Sequence, residues 1–268
     1  MIEFDHADLA INTQASLLEL NRSTIYHKHQ PSDDTELANK IHEIYLKNRC
    51  VYGYRKITAA LNILGVIVNR KKVARIMREM KIVGLYPRKR INTTIVNSNQ
   101  KFAYLLKLII SFPNQVWATD ITYIALPSGF IYLVAIIDIY SRFILDHKIA
   151  VSLDAEFCCK CLADALKKGR QPQIFNSDQG SQFTSNDFIE ILQKKRIQIS
   201  MDGKGRCFDN IFVERLWRTI KQEDVYYQRY ETVAEAKKCL GEFILWYNYE
   251  RLHQSLDYRT PNQVYRGL

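Results

Sequence analysis

Three acidic residues have the type and placement that metal-assisted phosphodiester chemistry requires: Asp120 in VWATDITYI, Asp178 in FNSDQGSQFTS and Glu214 in DNIFVERLWRTIK. Carboxylate oxygens are the hard ligands that Mg²⁺ prefers. A pair of such ions can activate a nucleophile and stabilise the leaving oxygen of a phosphodiester. Asp120 and Asp178 enclose 57 residues, and Asp178 and Glu214 enclose 35. Acids this far apart meet only through a fold, so the triplet predicts a metal-dependent polynucleotidyl transferase.

The elements that must position them are legible from periodicity. Asp120 lies in an alternating apolar and polar run that ends at Pro127, which reads as a strand. Asp178 follows the apolar QIF and precedes Gln179-Gly180, where a strand leaves a sheet. Glu214 shares a segment with Ile211, Leu216 and Ile220 on roughly one side, a helical pattern. Around them the chain predicts strands at about 115–126, 130–139 and 142–150 and a helix at about 154–168. A strand at 173–177, a helix at 185–195, a short strand near 197–201 and a helix over about 209–224 follow. Three strands with tight connections suggest an antiparallel meander, and the later strand-helix alternation suggests parallel additions, giving an α/β core. A final amphipathic helix at 231–250 leads into a tail read as irregular, basic and aromatic.

Each acid also has an ordinary reading. Asp120 alone could be a satisfied structural carboxylate, Asp178 a turn former before Gln-Gly, and Glu214 an exposed helical residue paired with Arg218 at i+4. Their joint spacing favours function. Asp138 in IIDIYSR is another acid in an apolar strand, and a structural or supporting role is expected for it. Asp209-Asn210 should cap the Glu214 helix. Lys204 and Arg206 flank Gly203 and Gly205 in a basic loop expected to be mobile and to touch DNA beside the site. Cys158, Cys159 and Cys161 fall on a predicted helix with no His or fourth Cys near in sequence, so they read as core cysteines rather than a zinc site. His253 in YERLHQSL suits packing or DNA contact.

The net charge of the 268 residues is +10, and its distribution matters more than its size. Residues 1–110 carry 18 Lys and Arg against 9 Asp and Glu, whereas residues 111–268 carry 20 against 19. A basic module joined to a nearly neutral core suits a DNA-processing enzyme, because phosphate neutralisation supplies most non-specific affinity. A hydrophobic fraction of 47% with 12% aromatics predicts a folded chain. No apolar run approaches the ~20 residues of a membrane helix. The acidic start MIEFDHADLA argues against export, and six cysteines with three crowded together do not form a disulfide framework. These features predict a cytoplasmic, nucleoid-associated protein.

Residues 12–28 read as two short helices, so 1–30 forms a short helix-turn-helix-like segment. After the polar linker HKHQPSDD, residues 35–90 hold three helical patterns, TELANKIHEIYLKN, YRKITAALNIL and NRKKVARIMREM. In the third, Val73, Ile76, Met77 and Met80 form an apolar stripe while Arg70, Lys71, Lys72, Arg75 and Arg78 fill the rest. Such a helix could offer its basic face to DNA as a recognition helix does, or it could be a solvated face; the following Pro87–Arg90 tail favours DNA. Residues 91–111 read as a connector, and 112–268 as the catalytic core with a helical tail.

The 35-residue interval resembles that of DDE transposases and retroviral-type integrases, in which a basic residue follows the last acid by seven positions. Here that residue is Lys221. A step of seven on a helix returns to nearly the same face, so Lys221 could touch a phosphate beside the metals. The ordered motifs WATDITYI, DIYSRFI, NSDQGSQFTS, SMDGKGRCFDNIFVERLW and WYNYERLHQSLDYRTPNQVY resemble the second-reading-frame catalytic subunit of the insertion-sequence-three family, and with the helix-turn-helix region the likeness spans almost the whole chain. It implies a ribonuclease-H-like integrase core in which Asp120, Asp178 and Glu214 hold two Mg²⁺, with Mn²⁺ as a substitute. It also implies 3′-end cleavage and strand transfer on double-stranded element ends with inverted repeats and on target DNA, a homo-oligomer on DNA, and an upstream-frame helix-turn-helix and leucine-zipper partner or fusion. The chain begins at Met1 without a heptad run, so the isolated chain is expected to cut element ends poorly. Asn176 departs from the family pattern, standing where many relatives carry a His, and the zinc-binding His-His-Cys-Cys module of retroviral integrases is not found. A helix-turn-helix regulator with a degenerate core would have no reason to keep three acids and Lys221. A ribonuclease-H-like nuclease would need neither the helix-turn-helix region nor the YNYERLHQSL tail.

Overall fold

The computed structural model describes residues 2–4, 6, 8–21, 34–85, 102–106, 108–168, 170–202 and 210–268. The chain divides into two compact units, Met1–Lys40 and Ile41–Leu268. In the first, helix α1 (Ile11–Leu17) is steadied by Gln14, whose amide Nε2 donates to the carbonyls of Glu3 and Leu9 at 2.9 and 2.7 Å. The second helix expected before residue 28 falls outside the described residues, as do the Pro87–Arg90 tail and most of the connector.

Three helices follow: α2 (Thr35–Lys47), α3 (Tyr54–Ile63) and α4 (Arg70–Glu79). Ile41, Ile44, Tyr52, Ile57, Leu61, Val73, Ile76 and Met77 are buried, so the i, i+3, i+4 apolar positions do face a core. Asn69 caps α4 by accepting from the Lys71 N–H at 2.9 Å. At Gly84 a Cβ would lie 2.6 Å from the Gly53 Cα, so the chain leaving α4 passes against the start of α3 only because position 84 has no side chain.

A five-stranded sheet has the order β3-β2-β1-β4-β5, with β1 (Val116–Leu126), β2 (Gly129–Asp138), β3 (Ile144–Ala150), β4 (Ile174–Ser177) and β5 (Gln198–Met201). β1, β2 and β3 form an antiparallel meander, while β4 joins β1 in parallel and β5 joins β4 in parallel. One face packs against α5 (Ala155–Lys167) and α6 (Asn186–Lys194) around Trp117, Phe157, Cys161, Phe175, Phe183 and Phe188. Cys158 and Cys161 are buried free thiols in this cluster. Edge strand β3 is blocked rather than left open: the Asn248 side chain accepts from the Ile144 N–H and donates to the Ile144 carbonyl, both at 2.9 Å. Those two bonds mimic a neighbouring strand.

Helix α7 (Ile211–Ile220) runs into a π-helical turn, Lys221–Val225, and a last turn at Tyr226–Gln228. Beyond it lie α8 (Val233–Tyr249) and, within the tail read as irregular, a further helix α9 (Pro261–Arg266). The reason for α9 was in the sequence: Thr260 and Gln263 form a capping box around Pro261 at the first helical position. The π turn directs two acids into protein. Glu223 receives a two-pronged contact from Arg251, at 2.7 Å from Nε and 2.5 Å from Nη2. Asp224, fully buried, accepts from Arg49 and from the Tyr230 hydroxyl. Arg49 and Cys50 both adopt left-handed backbone, at φ 58° and 59°, a strained pair that turns Arg49 toward the core, where its guanidinium also lies over the Phe243 and Trp246 rings. Tyr52 adds a second tie, its hydroxyl accepting from the Leu252 N–H at 2.7 Å.

Candidate active site

Asp120 is the fifth residue of β1 and Asp178 follows the last residue of β4. Pairing between those strands ends at Ala118 with Asn176, so the two acids stand where the strands part. Protein atoms enclose the Asp120 carboxylate although part of its surface reaches solvent. Burial, and next the charge of Asp178, push it up to about 7. Burial likewise raises Asp178. Neither carboxylate makes an ion pair with a described residue.

Both are held in orientation. The Trp217 indole Nε1 donates to Asp120 Oδ2 at 2.9 Å, and the Gly180 N–H donates to Asp178 Oδ1, also at 2.9 Å. A Cβ at position 180 would sit 3.0 Å from that same oxygen, which accounts for glycine two residues after the acid. Trp217 lies one turn after Glu214 on α7, so the helix carrying the third acid lies beside Asp120. Glu214 itself is exposed and makes no ion pair with Arg218. The structure therefore brings Asp120 and Asp178 together, and among the described residues it draws no three acids into a metal-holding cluster.

A carboxylate overlooked in the sequence lies near enough to influence Asp120. Asp202 follows β5 and raises the proton affinity of Asp120. Asn176 donates to Asp202 Oδ1 and accepts from the Ser200 hydroxyl, each at 2.8 Å, so the residue that departs from the family pattern orients a second-rank acid. A signal was available, since ligands collect at the carboxyl ends of parallel strands and β5 ends there. Asp138 faces elsewhere, accepting from the Asn114 and Ser141 N–H groups at 2.7 and 2.8 Å and from the Ser141 hydroxyl. Asn210 corrects an expectation: it stands at the N-cap of α7 without capping it, and its amide donates instead to the Thr119 carbonyl at 3.2 Å. That bond pins the helix to β1. Asp209, Lys204 and Arg206 lie outside the described residues. His253 is buried against Tyr247 and Arg251, and burial holds its imidazole well below the ordinary range.

Hard oxygen donors, enclosed and lacking a protein cation, fit a divalent metal ion. One consequence concerns the metal-free protein. Asp120 holds its proton more tightly folded than unfolded, so the native state loses stability as pH rises from about 4 toward 7. Asp120→Asn should flatten this fall. Urea unfolding in chelator at several pH values checks it, and an unchanged pH slope in the variant would contradict the burial assigned to this carboxylate.

On α4, Arg70, Lys71 and Arg78 are exposed and Lys72 and Arg75 half-buried, on the side away from Val73, Ile76 and Met77. Arg75 is paired with Glu79 at 2.7 Å. Lys221 begins the π turn, one helical turn beyond Trp217, with its ammonium 4.8 Å from the Tyr123 ring centre.

A meander extended by two parallel strands, with acids on β1 and after β4 and a helix laid beside them, defines an integrase-type catalytic core. Models described as Integrase core domain match residues 111–207 and 195–261, and one described as HTH-like domain matches residues 31–90. The 31 kDa protein of insertion element IS600 from Shigella sonnei is 33% identical over 254 residues, covering 90% of this chain and 93% of that one. The transposase for insertion sequence element IS904 from Lactococcus lactis is 32% identical, covering 84% and 91%. Among solved structures, a chain of the simian T-cell lymphotropic virus intasome in complex with a PP2A regulatory subunit matches 84% of this chain at TM-score 0.51 and 15% identity, a likeness of fold. The chain belongs to the insertion-element transposases with an integrase core. It is a DDE-type DNA transposase on a ribonuclease-H-like fold. No helix among the described residues is long and apolar enough to cross a membrane.

Proposed function

We propose that Asp120, Asp178 and Glu214 are the catalytic acids, that they hold two Mg²⁺ ions for which Mn²⁺ can substitute, and that the chain is an insertion-sequence-three family subunit. The observation that carries this is the pair of enclosed carboxylates, Asp120 and Asp178, the charge of the second raising the proton affinity of the first, with no ion-pair partner for either among the described residues. When bound, the metal supplies Lewis acidity to the attacking hydroxyl and the leaving oxygen. The chain's own part is positioning. Trp217 and the Gly180 N–H fix the two carboxylates, and Asn210 holds the start of α7, the helix that carries Glu214. Water first releases a 3′-OH at the element end, and that hydroxyl then attacks a second phosphodiester without a covalent enzyme intermediate.

The basic face of α4 binds duplex DNA in this reading, with Lys204, Arg206 and Lys221 near the cleaved strand. The working unit is a homo-oligomer on DNA, in the cytoplasm with the nucleoid, and the upstream-frame partner is part of the same proposal. The segments 1–30, 35–90, 91–111 and 112–268 serve as accessory, DNA-binding, connecting and catalytic parts. Neutralising Arg70, Lys71 and Arg78 should weaken duplex binding and reduce its salt slope by roughly one unit for each phosphate that the helix no longer neutralises. An unchanged slope, measured by anisotropy over a salt series, would make α4 a merely solvated face. A strand-transfer assay on duplexes carrying the inverted repeats that flank the gene tests the whole: joining of a 3′-OH end to new DNA is expected. Cutting without joining would indicate a nuclease, and binding alone a regulator.

A further inference from the structure

We propose that Tyr123 and Phe130 form a stacking step for an unpaired base of the DNA strand being processed, with the phosphate of that nucleotide held by Lys221; this rests on the DNA-processing reading above. Both rings lie at the far end of the β1–β2 hairpin and stay 62% and 57% exposed, although they touch each other edge to face at 5.7 Å between centres. The sheet's other aromatics pack into the α5–α6 core, Trp117 and Phe175 buried and Tyr132 half-buried, whereas this touching pair presents ring surface to a ligand.

The position says which ligand. Trp217 and Lys221 are one helical turn apart, and they meet β1 in order: the Trp217 indole bonds Asp120, and the Lys221 ammonium lies over Tyr123. Strand β1 thus carries a carboxylate and, three residues further on and leaving the opposite face, an aromatic ring, and the helix bearing Trp217 and Lys221 reaches both. Aromatic faces next to a cation form the combination that binds single-stranded nucleic acid, the ring taking the base and the cation its phosphate. Size excludes a protein partner: at these exposures two rings offer roughly 250 Å², well short of the about 800 Å² per partner of a stable protein interface. A base needs only such an area.

The site can be read without catalysis. The full-length protein is mixed, in chelator, with a blunt duplex or with the same duplex bearing a four-nucleotide unpaired tail that carries 5-iodouracil at each tail position in turn. Near-ultraviolet crosslinking should map to Tyr123 or Phe130 from one or two tail positions. The Tyr123→Ala/Phe130→Ala double variant should bind the tailed duplex about tenfold more weakly than wild type and the blunt duplex equally well, within the span expected for one stacked base. Tyr123→Phe and Phe130→Tyr should restore tail binding, which also guards against a folding defect. Equal tail binding by the double variant, or crosslinks only to other residues, would overturn the stacking step while leaving the transposase reading intact. Failure of the wild type to bind either duplex would remove both.

Discussion

Asp120→Asn, Asp178→Asn and Glu214→Gln are each expected to abolish 3′-end cleavage and strand transfer while duplex binding stays near the wild-type level. An amide is a weak ligand for a hard cation, so each substitution removes several kcal/mol of transition-state stabilisation. At about 1.4 kcal/mol per decade that is a loss of roughly 10³-fold or more. The first two follow from geometry, since these carboxylates occupy one enclosed site. Glu214→Gln is the more demanding test, because the side chain is exposed and the proposed site requires it to join the pair when metal and DNA are bound. Asp138→Asn is the control: it replaces one of two acceptor oxygens that serve donors in a turn, so any effect comes through stability. Cleavage close to wild type in any of the three acid variants takes that residue out of the site.

Arg49→Met is expected to destabilise the protein by about 3–5 kcal/mol, because it strips the cation from a buried carboxylate. Asp224 has no exposed surface, and Arg49 and Tyr230 are its two side-chain donors. Arg49→Lys keeps the charge but not the fork, so it should recover only part of the stability. Replacing both partners, Arg49→Met with Asp224→Leu, should come closer to wild type than Arg49→Met alone, since the double change leaves no unpaired charge. Urea unfolding of wild type, Arg49→Met, Asp224→Leu and the double variant measures this cycle; a double variant as unstable as the sum of the two single ones would mean that the pair is not coupled. The pair also joins residues 175 apart in sequence, so breaking it loosens the helices after Ile41 from the helix that bears Glu214.

Strand and helix identities were written in the chain, because burial on one or both faces imposes a period of 2 or 3.6 on the apolar residues. β1 to β5 and α2 to α8 fall within a few residues of their expected spans on that basis alone. The ordered acidic motifs pointed to the same chemistry that the family relationship supports. Local signals account for α9, whose capping box was readable, and for Asp202, which marks the end of a parallel strand. Other features had no local signal. That Trp217 would hold Asp120, that Asn210 would reach across to Thr119 instead of capping its own helix, and that Arg49 would neutralise Asp224 depend on atoms brought together from positions 91 to 175 residues apart. Periodicity reports which face of an element is buried. Which side chain on that face meets which partner is decided only by how the elements pack, and the positioning of the Asp120 and Asp178 carboxylates belongs to that second kind of information.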